Sequence, residues 1–310
     1  MTNCTLNITT GVRHFQLAAL IPTFILGLLG NIYVLVTFCR LPRTAWTYMH
    51  VYITNMAVAD CAVLVLLPVR ISSFWERLWD QTNKELCFVL VSVHYVNTYA
   101  SIFMVTAISV VRYVAIKYPL KAREVLSRRK ALVVCAVIWL VTCSFSAAFH
   151  RVDKPAVNGT IKCFQKNQDK PLPLLFILVL NVVGFLVPFL IMLFCSVKVI
   201  VKLRKQLEIG CRSEKIQCMF IMAANLIVFF VCFFPVHFGF FFKYVAQTHS
   251  YSCGTQYLAH NFVQSAICVS SMNCALDSFS YYFATRTSWK PCGAKRSNEE
   301  KQCDYDRVAQ

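Results

Sequence analysis

Acidic residues are scarce in this chain of 310 residues, which has 14 aspartates and glutamates against 31 lysines and arginines. Glycine and proline are also few, at 9 and 10, and there is no low-complexity segment or internal repeat to suggest a linker or a second domain. Charged residues make up only 15% of the sequence, whereas 57% is hydrophobic. This composition excludes a soluble basic protein, and it makes nucleic-acid binding a poor explanation of the net charge of +17.

Further absences narrow the function. The seven histidines are scattered, and neither an H-E-x-x-H motif nor a nucleophile–base pair is visible, so we do not expect an enzyme. A transporter should show repeat symmetry or paired broken helices at the bilayer midplane, and neither is seen, which leaves it a less favoured alternative. The first sixteen residues lack a basic n-region and a cleavage site, so we expect the first apolar segment to act as a signal anchor.

Seven apolar stretches dominate the chain, each near the ~20 residues that a transmembrane helix needs. Only helices and closed barrels satisfy their backbone in lipid, and these stretches are too long for barrel strands. We predict an all-α membrane protein, a seven-transmembrane helix bundle over 17–284. It has an extracellular N-terminus (1–16), a cytoplasmic tail (285–310) and a short cytoplasmic amphipathic helix after the seventh span. The predicted spans are 17–39, 48–70, 86–112, 131–149, 172–197, 217–243 and 256–284.

The basic residues set the orientation of the bundle. With the N-terminus outside, the inner loops and tail carry 20 lysines and arginines and the outer segments carry 10. This asymmetry follows the positive-inside rule and places basic segments against anionic membrane lipid. Three glycosylation acceptor motifs, at Asn3, Asn7 and Asn158, fall on the predicted outside. We therefore expect a multi-pass plasma-membrane protein with an extracellular N-terminus.

Most of the 16 cysteines lie inside apolar spans, where they are expected to act as packing residues. Four fall on the predicted outside, namely Cys4, Cys87, Cys163 and Cys253. An even number of cysteines in an oxidising compartment predicts two disulfide bonds, for which three pairings exist. Two inner-tail cysteines are either palmitoylated or plain thiols, Cys292 and Cys303.

A polar side chain costs about 2.5–3.5 kcal/mol at the bilayer centre and therefore needs a partner or a function. We expect one buried polar cluster in the inner half of the bundle, formed by Asp60, Asn31, Ser101, Asn273 and Asp277. The cluster binds a sodium ion, or it only fixes helix register through hydrogen bonds, or its two carboxyls share a proton. The sequence leaves these alternatives open.

Several polar and aromatic motifs occur in the order and at the depths typical of rhodopsin-like (class A) G-protein-coupled receptors, which the chain resembles over roughly residues 15–290. The motifs are Gly30-Asn31, Asn55 to Asp60 (resembling N-L-A-x-x-D), Cys87, Val111-Arg112-Tyr113 (D-R-Y), Trp139, Pro188, Cys232 to Pro235 (C-W-x-P) and Asp277 to Tyr281 (N-P-x-x-Y). Within the family it resembles the lysophosphatidylinositol-responsive branch and its kynurenate-responsive relative, through Ile21 to Phe24, Pro235 to Phe241 and Asn273-Cys274.

This resemblance implies a receptor for an anionic lipid-like ligand of the lysophosphatidylinositol type. It would activate heterotrimeric G proteins, of the G12/13 or Gq types, through outward movement of the sixth helix. Receptors for a small organic acid, a nucleotide or a peptide are the alternatives within the family. Arrestin and receptor kinases are further implied partners. The resemblance also implies the pairings Cys87–Cys163 and Cys4–Cys253, and the possible sodium ligands Asp60, Ser101, Asn273 and Asp277.

The implied activation switch departs from the family pattern at the inner ends of the third and fifth helices. Val111 stands where the family usually has Asp or Glu, so Arg112 lacks a neighbouring carboxylate, and Ser196 replaces a common tyrosine. Raised basal signalling is one interpretation, and restraint by Glu214 or by helix packing is the other. The expected switch residues are Asp60, Arg112, Phe233, Pro235, Asp277 and Tyr281.

The ligand site is expected in the outer half of the bundle, where the spans contain no acidic residue to bind an amine. Arginine suits bidentate contact with phosphate or carboxylate, which favours an anionic head group. Alternatively, the outer cations snorkel to lipid head groups and the histidines are hydrogen-bonded core residues. The candidates are Arg70, His94, Tyr95, Asn97, Thr98, Lys162, His237, Phe240, Phe241, Lys243 and Gln264.

Overall fold

A computed structural model of the protein describes residues 8–72, 84–152, 172–207, 212–249 and 251–286. Every regular element within these ranges is helical. The side chains of Cys87 and Tyr281 are not described, although their backbone lies in helices. Several predicted features lie outside the described residues altogether, namely Asn3, Cys4, Asn7, Asn158, Lys162, Cys163 and the amphipathic helix expected in the tail.

Seven spans follow one another in the described chain, and we name them the first to the seventh helix. The fifth is continued through a wider π-helical segment, and the seventh consists of two parts separated by Met272. Two short helical segments lie between spans, at Arg43–Ala45 and Pro119–Val125. The first four helices are Thr10–Cys39, Tyr48–Ser72, Lys84–Lys117 and Arg128–Val152. The fifth consists of Leu174–Asn181, the π-helical segment Val182–Leu186 and Val187–Lys205. The sixth is Arg212–Thr248, and the two parts of the seventh are Cys253–Ser271 and Asn273–Arg286.

The predicted spans are confirmed in number and order, but the helices are longer than the apolar stretches. The first helix begins at Thr10 because the Thr9 hydroxyl accepts a hydrogen bond from the Val12 amide, 3.1 Å away, and so caps it. The third and fifth helices extend to Lys117 and Lys205, at the end of the bundle that we name the inner end; the opposite end is named the outer end. Hydropathy marks only the part of each helix that lipid tails surround, whereas the hydrogen-bonded backbone continues beyond it.

Among the described residues, six helices are long and apolar enough to cross a bilayer, and they correspond to the first six spans. The seventh is interrupted at Met272, where polar side chains concentrate in Ser270, Ser271 and Asn273. In the fifth helix the π-helical segment Val182–Leu186 directly precedes Pro188. Proline has no amide hydrogen, and a wider turn is one way in which a helix accommodates the missing bond.

The third helix lies at the centre of the bundle, where it contacts the second, fourth, fifth and sixth helices. The first helix packs against the second and seventh, and the sixth packs against the fifth and seventh. Close approach of the first and seventh helices depends on Gly30, because a Cβ there would overlap the side chain of Ser278. The ring of helices thus encloses two sets of buried polar residues, one toward each end.

Candidate functional site

Arg70 lies near the outer end of the second helix and points into the bundle. Its side chain is only 4% exposed, and its Nη1 atom lies 3.2 Å from the Ser271 hydroxyl on the seventh helix. It is within electrostatic range of His94 and Tyr95 on the third helix. The alternative in which Arg70 snorkels to the lipid head groups is therefore wrong, because the guanidinium is buried between helices.

A narrow cleft between the second and third helices leads to this arginine. It is lined by Arg70 and His94 and by five apolar side chains, Val63, Leu66, Leu67, Leu90 and Val93. Leu66 and Val93 are partly exposed, whereas the other three are buried. The arrangement combines one cationic group with aliphatic surface, which is the combination that an amphiphilic anion requires.

A second group of outer residues connects the third and sixth helices. The Nδ1 atom of His237 lies 2.8 Å from the Phe233 carbonyl oxygen, so Nδ1 carries the proton and donates to it. The Tyr99 hydroxyl lies 3.4 Å from the remaining ring nitrogen, Nε2, to which it donates a long hydrogen bond. Phe185 stacks on the His237 ring with centroids 5.1 Å apart. His237 is therefore a hydrogen-bonded core residue that bridges two helices.

Phe233, which stands where the family motif has tryptophan, is fully buried beneath His237. Its ring meets that of Phe229 edge-on with centroids 5.2 Å apart. Pro235 lies within the sixth helix between these two levels. A shift of the backbone at Phe233 would move the carbonyl oxygen that accepts the hydrogen bond from His237.

Other predicted ligand residues occupy different surroundings. Phe241 is 45% exposed, so the structure does not bring it into the buried set. The Thr98 hydroxyl donates to the His94 carbonyl oxygen one turn earlier. Phe240 lies 6.3 Å from the Tyr95 ring between centroids. The Gln264 backbone accepts a hydrogen bond from the Gln16 side chain.

His260 was missed from the sequence although it shares a helix face with Gln264, four residues on. It is 1% exposed, and neither ring nitrogen has a hydrogen-bond partner among the described residues. It lies within electrostatic range of Lys243. Gly239 of the sixth helix packs against Phe262 and Val263 of the seventh. Because the two helices are antiparallel, Lys243 and His260 both lie about one turn farther out than this contact, and so at the same level.

The inner half of the bundle contains the expected polar cluster, which Asn97 and Cys274 join, while the predicted member Ser101 makes no hydrogen bond through its hydroxyl among the described residues. The Asn97 amide donates to Asp60 Oδ1 over 3.1 Å, so Asn97 belongs here rather than to the outer cavity. The Cys274 thiol in turn lies 3.7 Å from Asn97 Oδ1. We call this group the inner polar cluster; it comprises Asn31, Asp60, Asn97, Asn273, Cys274 and Asp277.

The remaining contacts of the inner polar cluster join the first and seventh helices. Asn31 donates to the carbonyl oxygens of Gly27 and Cys274, both at 2.9 Å. Asn273 donates to Asp277 Oδ2 over 2.7 Å, and the two carboxyl groups of the cluster lie within electrostatic range of each other. Two oxygens of the cluster, Asn31 Oδ1 and Asp60 Oδ2, are buried without a hydrogen-bond partner among the described residues, and so is the Oγ atom of Ser101.

At the inner end of the third helix, Arg112 is covered by the sixth helix. It is 3% exposed, and its Nη1 atom lies 3.9 Å from the sulfur of Met222. Val111 is buried in the main hydrophobic core. The Glu214 side chain lies outside the described set, so its predicted role as a restraint stays a prediction. The inner end of the bundle is closed in this structure, because Met222 shields the arginine.

Lys202, on the fifth helix, reaches the same end of the third helix. Its ammonium lies 2.8 Å from the Ile116 carbonyl oxygen and 3.2 Å from that of Lys117. Sequence reasoning placed Lys202 only among the basic residues that face inner-leaflet lipid. The signal that it turns inward is its spacing, since Ser196, Val199 and Leu203 on the same face are buried.

Cys253 is disulfide-bonded, in agreement with its predicted participation in an outer bridge. Its pairing with Cys4, and that of Cys87 with Cys163, stay predictions. The described cysteines inside the spans are free thiols, as expected for packing residues.

Comparisons with known proteins agree with this geometry. The profile of the 7 transmembrane receptor (rhodopsin family) matches residues 30–281. G-protein coupled receptor 55 of Mus musculus is 30% identical over 96% of this chain and 93% of its own length. G-protein coupled receptor 35 of Homo sapiens is 32% identical over 84% of this chain and 81% of its own length. Lysophosphatidic acid receptor 4 of Homo sapiens is 30% identical over 86% of this chain and 73% of its own length.

These matches cover the whole bundle, including the inner polar cluster and the arginine at the end of the third helix. They exclude the enzyme and transporter alternatives, because the relatives are receptors. They also make the chain a multi-pass protein of the plasma membrane. The protein belongs to the rhodopsin family of seven-transmembrane, G-protein-coupled receptors.

Proposed function

We propose that the protein is a receptor for an anionic lysophospholipid, of the lysophosphatidylinositol type, that enters from the extracellular side. The observation that carries the proposal is the buried Arg70 guanidinium, which lines a small cavity together with apolar side chains of the second and third helices. A guanidinium binds phosphate oxygens in bidentate fashion. The cavity itself measures only about 10 Å³, so an acyl chain would have to part the second and third helices to reach the apolar side chains that line it. Lysophosphatidic acid receptor 4, whose name gives a lysophospholipid as its ligand, is among the relatives and supports this class.

The orientation belongs to the proposal as well. We place the N-terminus outside, which puts Arg70 near the outer leaflet and Arg112 at the cytoplasmic end. The ligand then contacts the outer residues around Arg70, His94 and Tyr95, while the signal leaves through the third and sixth helices. Heterotrimeric G proteins of the G12/13 or Gq types are the proposed transducers, and arrestin and receptor kinases the proposed regulators.

A ligand changes the balance of two receptor states only by binding one of them more tightly. The described geometry offers a route for this bias. Arg70 is hydrogen-bonded to Ser271, so phosphate binding at Arg70 alters a contact between the second and seventh helices. Ser271 lies directly beside the interruption at Met272 and two residues from Asn273 of the inner polar cluster.

A sodium ion in the inner polar cluster is a further part of the proposal. Sodium is a hard cation and prefers oxygen ligands, and the buried oxygens of Asp60, Ser101 and Asn31 that lack described partners fit that preference. One sodium ion balances the charge of one carboxylate, here Asp60, so Asp277, which Asn273 holds in place, would keep its proton. Such an ion would supply positive charge that favours the closed packing of these helices. The competing explanation is a proton shared by the two carboxyls.

The deciding experiment measures G-protein activation in cells by lysophosphatidylinositol, with wild type and Arg70→Ala at matched surface expression. Arg13→Ala is the matched control, because it removes the same charge from the outer part of the first helix, away from the cleft. We expect Arg70→Ala to abolish the response to lysophosphatidylinositol, and Arg13→Ala to respond like wild type.

The same assay is repeated with small organic acids, nucleotides and lysophosphatidic acid in order to distinguish the ligand classes. A response to an organic acid or a nucleotide, with none to either lysophospholipid, would reject the lipid assignment. An undiminished lysophosphatidylinositol response in Arg70→Ala would reject the docking position.

A further inference from the structure

Two carbonyl groups at the inner end of the third helix accept hydrogen bonds from a lysine of another helix. Lys202 Nζ lies 2.8 Å from the Ile116 oxygen and 3.2 Å from the Lys117 oxygen. These are the last two residues of the third helix, where carbonyl groups lose their partners within the helix. An ammonium group there also interacts favourably with the negative end of the helix dipole.

The surroundings keep this lysine in place. Around it, Val199, Leu203 and Met222 form a buried cluster between the fifth and sixth helices, against which Tyr113 and Ile116 pack. The side chain of Lys117 turns away, because its ammonium donates to the Tyr113 hydroxyl over 2.9 Å. The ammonium of Lys117 therefore does not compete with Lys202 for the same carbonyl groups.

We propose that Lys202 is a positioning residue that holds the inner end of the receptor closed by tying the fifth helix to the end of the third. The closed end is defined by Met222 of the sixth helix, which covers Arg112. Met222 packs on Val199 and Leu203 of the fifth helix. Tying the fifth helix to the third therefore also restrains the sixth.

The bond from Lys202 matters more in this chain than in a receptor with an acidic residue before the arginine, because Val111 provides no carboxylate beside Arg112. The lysine bonds to backbone atoms, so it does not depend on a particular side chain at residue 116 or 117. The inference goes beyond the proposed ligand, and it concerns the equilibrium between closed and open states in the absence of any ligand.

The test uses full-length receptor in lipid nanodiscs, without ligand, and measures nucleotide exchange on purified G12/13, Gq and Gi heterotrimers. Lys202→Met removes the donor and keeps the aliphatic stem. Lys198→Met is the matched control, since Lys198 lies one turn earlier on the same helix, is exposed and has its ammonium 5.7 Å from the centre of the Phe194 ring. Lys202→Arg retains a charged donor for the carbonyl oxygens.

We expect basal nucleotide exchange to rise about tenfold in Lys202→Met. The closed state would lose a charge-assisted hydrogen bond that the open state does not have, so the equilibrium would move toward the open state. Lys198→Met and Lys202→Arg should remain within about twofold of wild type by the same reasoning. Unchanged or lower basal exchange in Lys202→Met would overturn the proposal, and so would an equal rise in Lys198→Met.

A second measurement does not depend on coupling to any G protein. Amide hydrogen exchange over residues 196–205 reports how firmly the inner end of the fifth helix is held. Lys202→Met, or Lys202→Gln if the first variant folds poorly, should exchange faster there than wild type and Lys198→Met. Equal exchange in all variants would also overturn the proposal. Loss of the lysophosphatidylinositol response would leave both readouts unaffected, so the two hypotheses fail separately.

Discussion

The Tyr99 hydroxyl of the third helix and His237 Nε2 of the sixth helix lie 3.4 Å apart, directly above Phe233 and Pro235. His237 Nδ1 is engaged by the carbonyl oxygen of Phe233 one turn below. The pair therefore links the third helix to the segment of the sixth helix that must move when the inner end opens. Both residues are buried, so water cannot easily replace the bond when it breaks.

We expect Tyr99→Phe to raise basal signalling by roughly twofold to tenfold, because a net hydrogen bond contributes about 0.5–1.5 kcal/mol. A double-mutant cycle with His237→Phe separates this bond from the packing of the two rings. Basal nucleotide exchange and thermal unfolding are measured for the wild type, both single variants and the double variant. If the two substitutions add without coupling in both measurements, the hydrogen bond has no part in restraining the sixth helix.

Gly184 in the π-helical segment of the fifth helix makes room for the ring of Tyr99. A Cβ at this position would lie 2.7 Å from Tyr99 Cε1, which is closer than two carbon atoms can approach. We expect Gly184→Ala to cost about 1–3 kcal/mol through overpacking and to lower the thermal midpoint of purified receptor by several degrees.

Gly11→Ala provides the comparison for this substitution. Gly11 is also helical, but nothing lies within 4 Å of a Cβ built there. The same change of residue should therefore leave the midpoint equal to that of wild type or slightly higher, since alanine favours the helix. Equal midpoints for both variants would show that the third and fifth helices adjust without cost.

The bundle was predictable from the sequence, whereas the partners of several polar residues were not. Apolar stretches in the sequence marked seven spans, and six of the described helices are long and apolar enough to cross a bilayer. A long apolar stretch in lipid has to form a helix. Hydropathy could not show that Asn97 turns inward to Asp60 while Thr98 bonds within its own helix. Neighbouring residues on a helix differ by about 100° in direction, and small rotations decide which cavity each one enters.

Backbone acceptors were a second source of error. Lys202 bonds to carbonyl groups of the third helix, and the Asn31 amide bonds to those of Gly27 and Cys274. A sequence pattern records side chains, so a contact whose partner is a carbonyl oxygen leaves no residue type to recognise. The position of His260 relative to Lys243 depends likewise on the register of two antiparallel helices, which contacts such as those of Gly239 with Phe262 and Val263 define.

The proposed sodium site predicts a dependence on the cation in the buffer. In wild type, sodium chloride should raise the thermal midpoint and lower basal activity relative to N-methylglucamine chloride. A ligand that binds only the closed state stabilises that state by about 1.4 kcal/mol when the ligand concentration is ten times the dissociation constant. Asp60→Asn should lose both effects, and Ser101→Ala should weaken them.

Ser109→Ala is the control for the serine variant. Ser109 is a buried serine on the same helix, but its hydroxyl donates to the Val105 carbonyl oxygen and does not belong to the inner polar cluster. It should retain the full sodium response. A wild-type receptor that responds identically to both salts would favour the proton shared between Asp60 and Asp277, and sodium would then be removed from the proposal.

Val111→Asp should reduce basal signalling about fivefold or more, at the lower end of the 1–3 kcal/mol that typically couples two states. The carboxylate would give Arg112 an acidic partner in the closed state, which the open state loses when the arginine engages a G protein. Val111→Asn has nearly the same shape without the charge and separates the ion pair from simple loss of an apolar side chain in the core. Basal activity is compared at equal surface expression. Unchanged basal activity in Val111→Asp would mean that the closed state is already fully restrained. An equal reduction of basal activity in Val111→Asn would assign the effect to polarity at this buried position rather than to a charge beside Arg112.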